Sequence, residues 1–234
     1  MQLDLHMHTK YSFDCNMEPE KIVKVAKARG LDGIAITDHN TTEGAYEVQK
    51  YTASNGLLVI IGEEIATTAG DVIGLFIKES IVNENPIEAI DEIKRQGGIA
   101  VLPHPFTRHL SIEEKVARKL DACEGFNARH AREKILDNSY GEAHIREFAQ
   151  QYDLSLTAGS DSHFYREIGR ARTIVPASSL EEAKDAILKG NTALMGRKSS
   201  PFNRLGSVLL RTFRNIVNPV PEAYTMQKKN IQKG

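Results

Sequence analysis

Gly30-Leu31-Asp32-Gly33-Ile34-Ala35-Ile36-Thr37-Asp38-His39-Asn40 is the stretch whose reading decides the fold class. Gly33 to Thr37 is a compact apolar run, which predicts a buried strand. It finishes at the polar trio Asp38-His39-Asn40. Upstream, Glu18-Pro19-Glu20 opens a helix, with proline in the first turn and acids where the helix dipole favours them. Ile22, Val23, Val25, Ala26 and Ala28 supply its buried face, and Gly30 ends it. Further upstream, Leu3-Asp4-Leu5-His6-Met7-His8-Thr9 predicts a first short strand, followed by a polar loop from Thr9 to Met17. Strand, helix and strand in succession predict a parallel sheet covered by helices.

The rhythm continues downstream. Gly44 to Ser54 reads as a helix closed by Asn55-Gly56. Leu57 to Ile61 reads as a strand ending at Gly62-Glu63-Glu64. Ile65 to Thr68 and Val72 to Ile77 flank Gly70 and predict a hairpin-like extension. A helix from Pro86 to Gln96, stopped by Gly97-Gly98, leads to a strand from Ile99 to Leu102 that ends at Pro103-His104-Pro105. Ser111 to Leu120 reads as a helix with a capping box from Ser111 and Glu114. Ala122 to Phe126 is a strand ending at Asn127-Ala128-Arg129. A helix from Gly141 to Tyr152 precedes a strand from Leu154 to Ala158, which ends at Gly159-Ser160-Asp161-Ser162-His163. A last short strand, Arg172 to Val175, and a helix, Ser179 to Lys189, complete the series. About seven βα units of this kind predict an α/β fold of barrel type, closed or nearly so.

From Ser199 to Gly234 the rhythm stops. Val208, Leu209, Leu210, Phe213, Ile216 and Val217 lie among Arg204, Arg211 and Arg214, the pattern of an amphipathic helix. The favoured expectation is a helix docked on the outer wall of the barrel. Contact with a partner or a membrane surface through 204–217 is the alternative. Gln227 to Gly234 reads as a tail. The domain expectation is therefore a barrel over 1–200 and a helical extension with its tail over 201–234.

Composition narrows the function classes. The chain has 234 residues and a formal net charge of −1, so no global basic field points to nucleic acid. Cys15 and Cys123 are the only cysteines and lack CxxC spacing, which argues against a zinc ribbon or a disulfide framework. They read as two reduced thiols of a cytoplasmic protein. The N-terminal sequence has no basic start with a long apolar stretch, and no window approaches the ~20 apolar residues of a membrane span.

The chemistry sits at the strand ends. His6 and His8 stand two apart on a strand, and residues i and i+2 share a face, so both imidazoles can aim at one point. His39 follows the second strand, Glu64 the third, His104 the fourth, Asn127 the fifth, and Asp161 with His163 the sixth. In a barrel these ends converge on one face, where active sites are built. Mixed histidine and carboxylate ligands suit zinc, manganese or iron. More such residues are present than one tetrahedral ion can take, so at least two ions are expected. Clustered metals suit attack on a phosphate ester, one activating water and others holding phosphoryl oxygens.

These residues resemble the successive motifs of the PHP (polymerase and histidinol phosphatase) family. The motifs are Asp4-Leu5-His6-Met7-His8-Thr9, Thr37-Asp38-His39, Gly62-Glu63-Glu64, Pro103-His104-Pro105 and Gly159-Ser160-Asp161-Ser162-His163. The resemblance runs from Leu3 to about Ser200 as an ordered set. It implies a distorted seven-stranded (β/α) barrel and a metal-dependent phosphoesterase with two or three metal ions. By position, His6, His8 and Asp161 would hold a first ion. Glu64 would bridge it to a second, also bound by His104. Asp14, His39 and His163 would hold a third, with Asp14 standing where some relatives have histidine. The family pattern Gly-any-Glu selects Glu64 over Glu63. For the fifth strand end, Asn127 and His130 are both candidates for the second ion.

In the expected mechanism, Arg129 and Arg170 are candidates to neutralise developing charge, with Arg108 a weaker one. His163 or Asp161 is placed to protonate the leaving oxygen. Asp38 is a candidate to orient an imidazole. His109 and His144 match no motif. The expected substrate is a small phosphorylated metabolite or nucleotide, with the end of an oligonucleotide as a further option. Competing readings are exonuclease-like trimming of nucleic-acid ends, an amidohydrolase and a non-catalytic accessory module. The absence of lysine from Ile99 to Thr107 speaks against the amidohydrolase.

Overall fold

The structure is a computed structural model that describes residues 1–53, 56–107, 112–130, 142–200, 202–203, 206–210 and 212. Its elements follow the alternation of apolar runs and amphipathic segments. They are β1 (Gln2–Asp4), α1 (Pro19–Ala28), β2 (Gly33–Ile36), α2 (Glu43–Lys50), β3 (Leu58–Thr67), β4 (Gly70–Leu75), α3 (Pro86–Arg95) and β5 (Ile99–Leu102). There follow α4 (Glu114–Ala117), β6 (Ala122–Asn127), α5 (Glu142–Tyr152), β7 (Ser155–Gly159), β8 (Ala171–Ile174), α6 (Leu180–Leu188) and β9 (Ala193–Gly196).

One sheet runs in the order β7-β6-β5-β4-β3-β2-β1-β8-β9. The pairs β1–β2, β2–β3, β5–β6 and β6–β7 are parallel, as helical crossovers require. The sheet curls until its far end meets β1. Beyond both strands, the Asp161 amide donates to the His6 carbonyl at 2.8 Å and the His8 amide donates to the Ser162 carbonyl at 3.0 Å. This seam nearly closes the barrel and brings the first and last motifs of the chain together.

The barrel is the expected architecture, but among the described residues its sheet has nine strands where seven were expected. The hairpin after β3 is no appendage: β4 stands as an antiparallel stave between β3 and β5. β8 pairs antiparallel with β1, and β9 pairs antiparallel with β8. β9 escaped the reading because its residues are mostly exposed and show no buried face. The opening strand is shorter than expected, regular only over Gln2–Asp4, with His6 to His8 held by the seam. The helix expected over 111–120 is a single turn, Glu114–Ala117, capped at Glu113 with no side-chain cap bond. Ser111 lies outside the described residues, and only Val116 and Ala117 bury the turn.

Alternation along the strands sorts the core. In β2, Ile34 and Ile36 pack outward with Ile22, Val23 and Ala26 of α1, while Ala35 joins Leu3, Ile60 and Val101 in a separate layer. Ile60 of β3 joins Ala35, so the period of two turns Glu64 to the same side as Ile60 and Glu63 to the other. Glu63 accordingly accepts the Ile81 amide at 2.8 Å and is pushed up to about 7 by burial. Among the described residues, no helix is long and apolar enough to cross a membrane.

After β9 the described residues of the C-terminal segment are helical at 202–203, 206–210 and 212. Arg204, Arg211, Phe213, Arg214, Ile216, Val217 and the expected tail lie outside the described residues, as do Arg108 and His109.

Candidate metal centre

The seam sets His6 and His8 side by side at the mouth of the barrel. Both are fully buried, and their Nε2 atoms are 3.2 Å apart. Each ring uses its Nδ1 elsewhere. His6 Nδ1 lies 2.9 Å from Glu124 Oε1, a carboxylate that can only accept, so Nδ1 carries the proton. His8 Nδ1 lies 3.1 Å from Ser12 Oγ, whose own proton goes to Asp38 Oδ1 at 2.6 Å, so His8 Nδ1 is again the donor. With Nδ1 engaged in both rings, the two Nε2 atoms are left facing one another. Glu64 Oε2 lies 3.5 and 3.4 Å from the two Nε2 atoms, and Asp161 Oδ1 lies 3.8 and 3.5 Å from them. Ligands about 2.1 Å from a tetrahedral ion stand about 3.4 Å apart. The separations of these oxygens from the two Nε2 atoms are those of a ligand shell.

Glu64 and Asp161 extend the cluster in two directions. His39 Nδ1 is 3.2 Å from Glu64 Oε2, and His104 Nε2 is 3.1 Å from Glu64 Oε1. His130 Nε2 is 3.3 Å from Asp161 Oδ2. Asp14 spans His39 and His163, with Oδ1 3.6 Å from His39 Nε2 and Oδ2 3.2 Å from His163 Nε2. Asp14 Oδ1 is buried and accepts no hydrogen bond among the described residues. An orphaned carboxylate oxygen beside two imidazoles is what a cation site leaves when only protein atoms are counted.

Electrostatics separates the rings. Burial lowers His8, and His163 and His39 lower it further, to about 3. Burial also opposes charge on His39, but Glu64 and Asp14 outweigh it and lift the ring to about 9. His6 is likewise driven up, against its burial, by Glu124, Asp161 and Glu64. Burial disfavours charge on Glu64, Asp14 and Asp161, yet the surrounding imidazoles hold all three well below the usual carboxylate range. The centre thus couples ionised carboxylates to imidazoles that they draw toward the charged form.

The backbone is shaped around these contacts. His104 and Asp161 have φ of 31° and 52°, a left-handed region that residues with a Cβ enter only when held there. Glu124 Oε2 holds His104 by its amide at 2.7 Å, and the seam holds Asp161. A Cβ on Gly159 would sit 2.3 Å from His6 Cβ and 2.8 Å from Glu124 Oε1, so glycine there lets the His6–Glu124 pair form.

The structure gathers His6, His8, Asp14, His39, Glu64, His104, Asp161 and His163, and it adds His130. Asn127 is turned otherwise. Its Oδ1 accepts the Arg129 and His130 amides, both at 3.0 Å, and its Nδ2 donates to Glu124 at 2.8 Å. Of the two candidates at the fifth strand end, the imidazole faces the cluster and the amide braces it. Arg129 lines the cavity but also pairs through Nη1 with Glu167, at 3.2 and 3.1 Å from its two oxygens. Arg170 is directed away, to the Arg166 and Lys198 carbonyls. His144 is exposed on α5 beside Glu147. Glu124, Ser12 and Glu167 were missed. The available signal for Glu124 was a lone acid inside the apolar strand Ala122–Asn127. Glu167 Oε2 also accepts the His163 and Phe164 amides, at 3.0 and 3.1 Å, which fixes the last motif.

The cluster opens into a cavity of about 110 Å³, walled by His8, Asp14, His39, Glu64, His104, Arg129, His130, Asp161 and His163. Ser207 and Val208 of the C-terminal segment complete the wall. That segment was expected on the barrel's outer wall; its described part lies at the mouth instead.

The family model of the PHP domain matches residues 4–199, from the first motif to just past β9. The chain belongs to the PHP domain family. Two uncharacterised proteins of Methanocaldococcus jannaschii are similar to this PHP domain. One is 42% identical over 164 residues, covering 64% of this chain and 95% of its own length. The other is 32% identical over 221 residues, covering 90% and 86%. Among solved structures, a two-domain protein of Bacteroides vulgatus containing a predicted PHP-like metal-dependent phosphoesterase superposes with a TM-score of 0.68 at 20% identity. The match covers 84% of this chain and 65% of that one, and it shows a shared fold.

Proposed function

We propose that this PHP domain is a metal-dependent phosphoesterase. The observation that supports it most is the pair of Nε2 atoms 3.2 Å apart, with Glu64 and Asp161 oxygens at ligand spacing from both. His6, His8, Asp161 and Glu64 would hold a first ion, and Glu64, Asp161, His104 and His130 a second. Asp14, His39 and His163 would hold a third. Nitrogen and carboxylate donors together suit zinc, manganese or iron. Such ions would supply positive charge for phosphoryl oxygens and lower the pKa of a water.

The chain's own groups do the rest. Glu124 and Ser12 fix the two rings in the tautomer that leaves Nε2 free to bind. Asp161, ionised among imidazoles, has no proton to give. That leaves His163, of the pair read from the sequence, to protonate the leaving oxygen when the third position is empty; when it is filled, His163 is a ligand. Arg129 contributes positive charge at the cavity wall while Glu167 holds its position. Arg170 takes no part in this reading.

A cavity of this size, bounded by Ser207 and Val208, favours a small phosphorylated metabolite or nucleotide, or the free end of an oligonucleotide. The test is hydrolysis of p-nitrophenyl phosphate, mononucleotides, sugar phosphates and short oligonucleotides, with and without added manganese, beside a lactone and amide panel. Metal-stimulated release of phosphate is expected. Turnover of lactones or amides alone would make the chain an amidohydrolase instead.

A further inference from the structure

Three polar side chains of the C-terminal segment, those of Ser199, Asn203 and Ser207, have buried atoms that meet no hydrogen-bond partner among the described residues. Asn203 is fully buried, yet neither Oδ1 nor Nδ2 of its amide meets a partner among the described residues. Ser207, four residues on, is 5% exposed, and its Oγ is also unpartnered although it lines the cavity beside Arg129. A buried hydroxyl or amide without a partner is destabilising, so such groups are kept where something else completes them.

The segment is anchored at this spot. The Ser199 amide donates to the Ala128 carbonyl at 2.8 Å, and Arg129 Nη2 reaches the Asn203 carbonyl at 3.5 Å. Gly206 lies against Phe164, next to His163; a Cβ there would stand 3.0 Å from Phe164 Cζ. Two of the last barrel motifs therefore position the residues that carry the unpartnered groups.

We infer that Ser207 is a substrate-binding residue that hydrogen-bonds an oxygen of the bound phosphate group from the wall formed by the C-terminal segment. A hydroxyl both donates and accepts, so it can serve a phosphoryl oxygen or the ester oxygen without adding charge to an already charged site. The inference rests on the phosphoesterase reading.

The test uses the full chain with manganese, comparing wild type, Ser207→Ala and Ser207→Thr. Three quantities are measured: calorimetric Kd for inorganic phosphate, KM for p-nitrophenyl phosphate, and bound metal. Ser207→Ala is expected to weaken phosphate binding and raise KM about tenfold, with metal content unchanged, because one hydrogen bond to a charged group is lost. Ser207→Thr, which keeps the hydroxyl, is expected to restore most of the affinity. Gly206→Val, which drives the segment off Phe164, is expected to weaken phosphate at least as much. A wild type that hydrolyses phosphate esters, with Ser207→Ala matching it in Kd and KM, overturns the inference and leaves the phosphoesterase reading intact. A wild type that binds phosphate but hydrolyses none overturns the reading, while the Kd comparison still decides on Ser207. A wild type that does not bind phosphate overturns both.

Discussion

Asp4 and Asp38 are as buried as Glu64 and Asp161, but they are given different neighbours. Asp4 accepts the Ser160 amide at 2.8 Å, the Ser160 hydroxyl at 2.6 Å and the Gly169 amide at 2.7 Å. Asp38 accepts the Thr9 amide at 2.7 Å and the Thr9 and Ser12 hydroxyls at 2.6 Å. Burial still lifts both, Asp4 to about 6, because neutral donors only partly replace water. Glu64 and Asp161 face imidazoles and are lowered despite the same burial, and so is the half-buried Asp14. Burial alone therefore does not mark a working carboxylate. Those tied by N–H and O–H donors hold loops, whereas those ringed by imidazole nitrogens are built for a cation.

The largest effect expected from this contrast is at Glu64. Glu64→Ala is predicted to lower phosphate-ester hydrolysis by on the order of a thousandfold or more and to reduce bound metal, with native far-ultraviolet circular dichroism. Retained activity would place Glu64 with the loop-tying acids. Asp4→Asn should behave in the opposite way. Urea unfolding should show a loss of about 2–3 kcal/mol, because donors at Ser160 and Gly169 lose a charged acceptor, while bound metal stays at the wild-type level. Loss of metal without loss of stability would erase the distinction.

Glu124 sharpens the comparison because it belongs to both groups. It accepts a ring proton from His6 and also ties the His104 amide and Asn127. Glu124→Gln is expected to weaken metal binding by about 10–100-fold in a chelator competition, with the protein still folded. Arg170 should show the smallest effect. Arg170→Ala removes bonds from a half-buried side chain to two carbonyls outside the cluster and is expected to change stability by less than about 1 kcal/mol, with hydrolysis rates like those of the wild type.

What the sequence made legible was the part governed by local pattern. Ile34, Ala35 and Ile36 announce a strand buried on both faces, and a polar residue after each such run marks the barrel's mouth. That was enough for the barrel and for gathering His6, His39, Glu64, His104 and Asp161. β9 was not legible, because exposed Ala193, Met195 and Gly196 have no buried face and are held by pairing with β8. The integration of β4 was hidden because a hairpin reads the same whether it protrudes or joins a sheet. At the fifth strand end, Asn127 and His130 could not be separated without knowing where each side chain turns. The backbone amides of Arg129 and His130 decided it by occupying Asn127 Oδ1. Glu124 was an acid in a strand until His6, far away in the chain, met it across the seam.

The central claim is that the imidazoles and carboxylates at the strand ends form a metal centre. The most direct measurement is elemental analysis by mass spectrometry of the full chain, purified without chelator and reloaded with manganese, for wild type beside Glu64→Gln. More than one transition-metal ion bound per wild-type chain, and markedly less in the variant, is the predicted result. A wild type that binds no transition metal, or a variant that binds as much as the wild type, would contradict it.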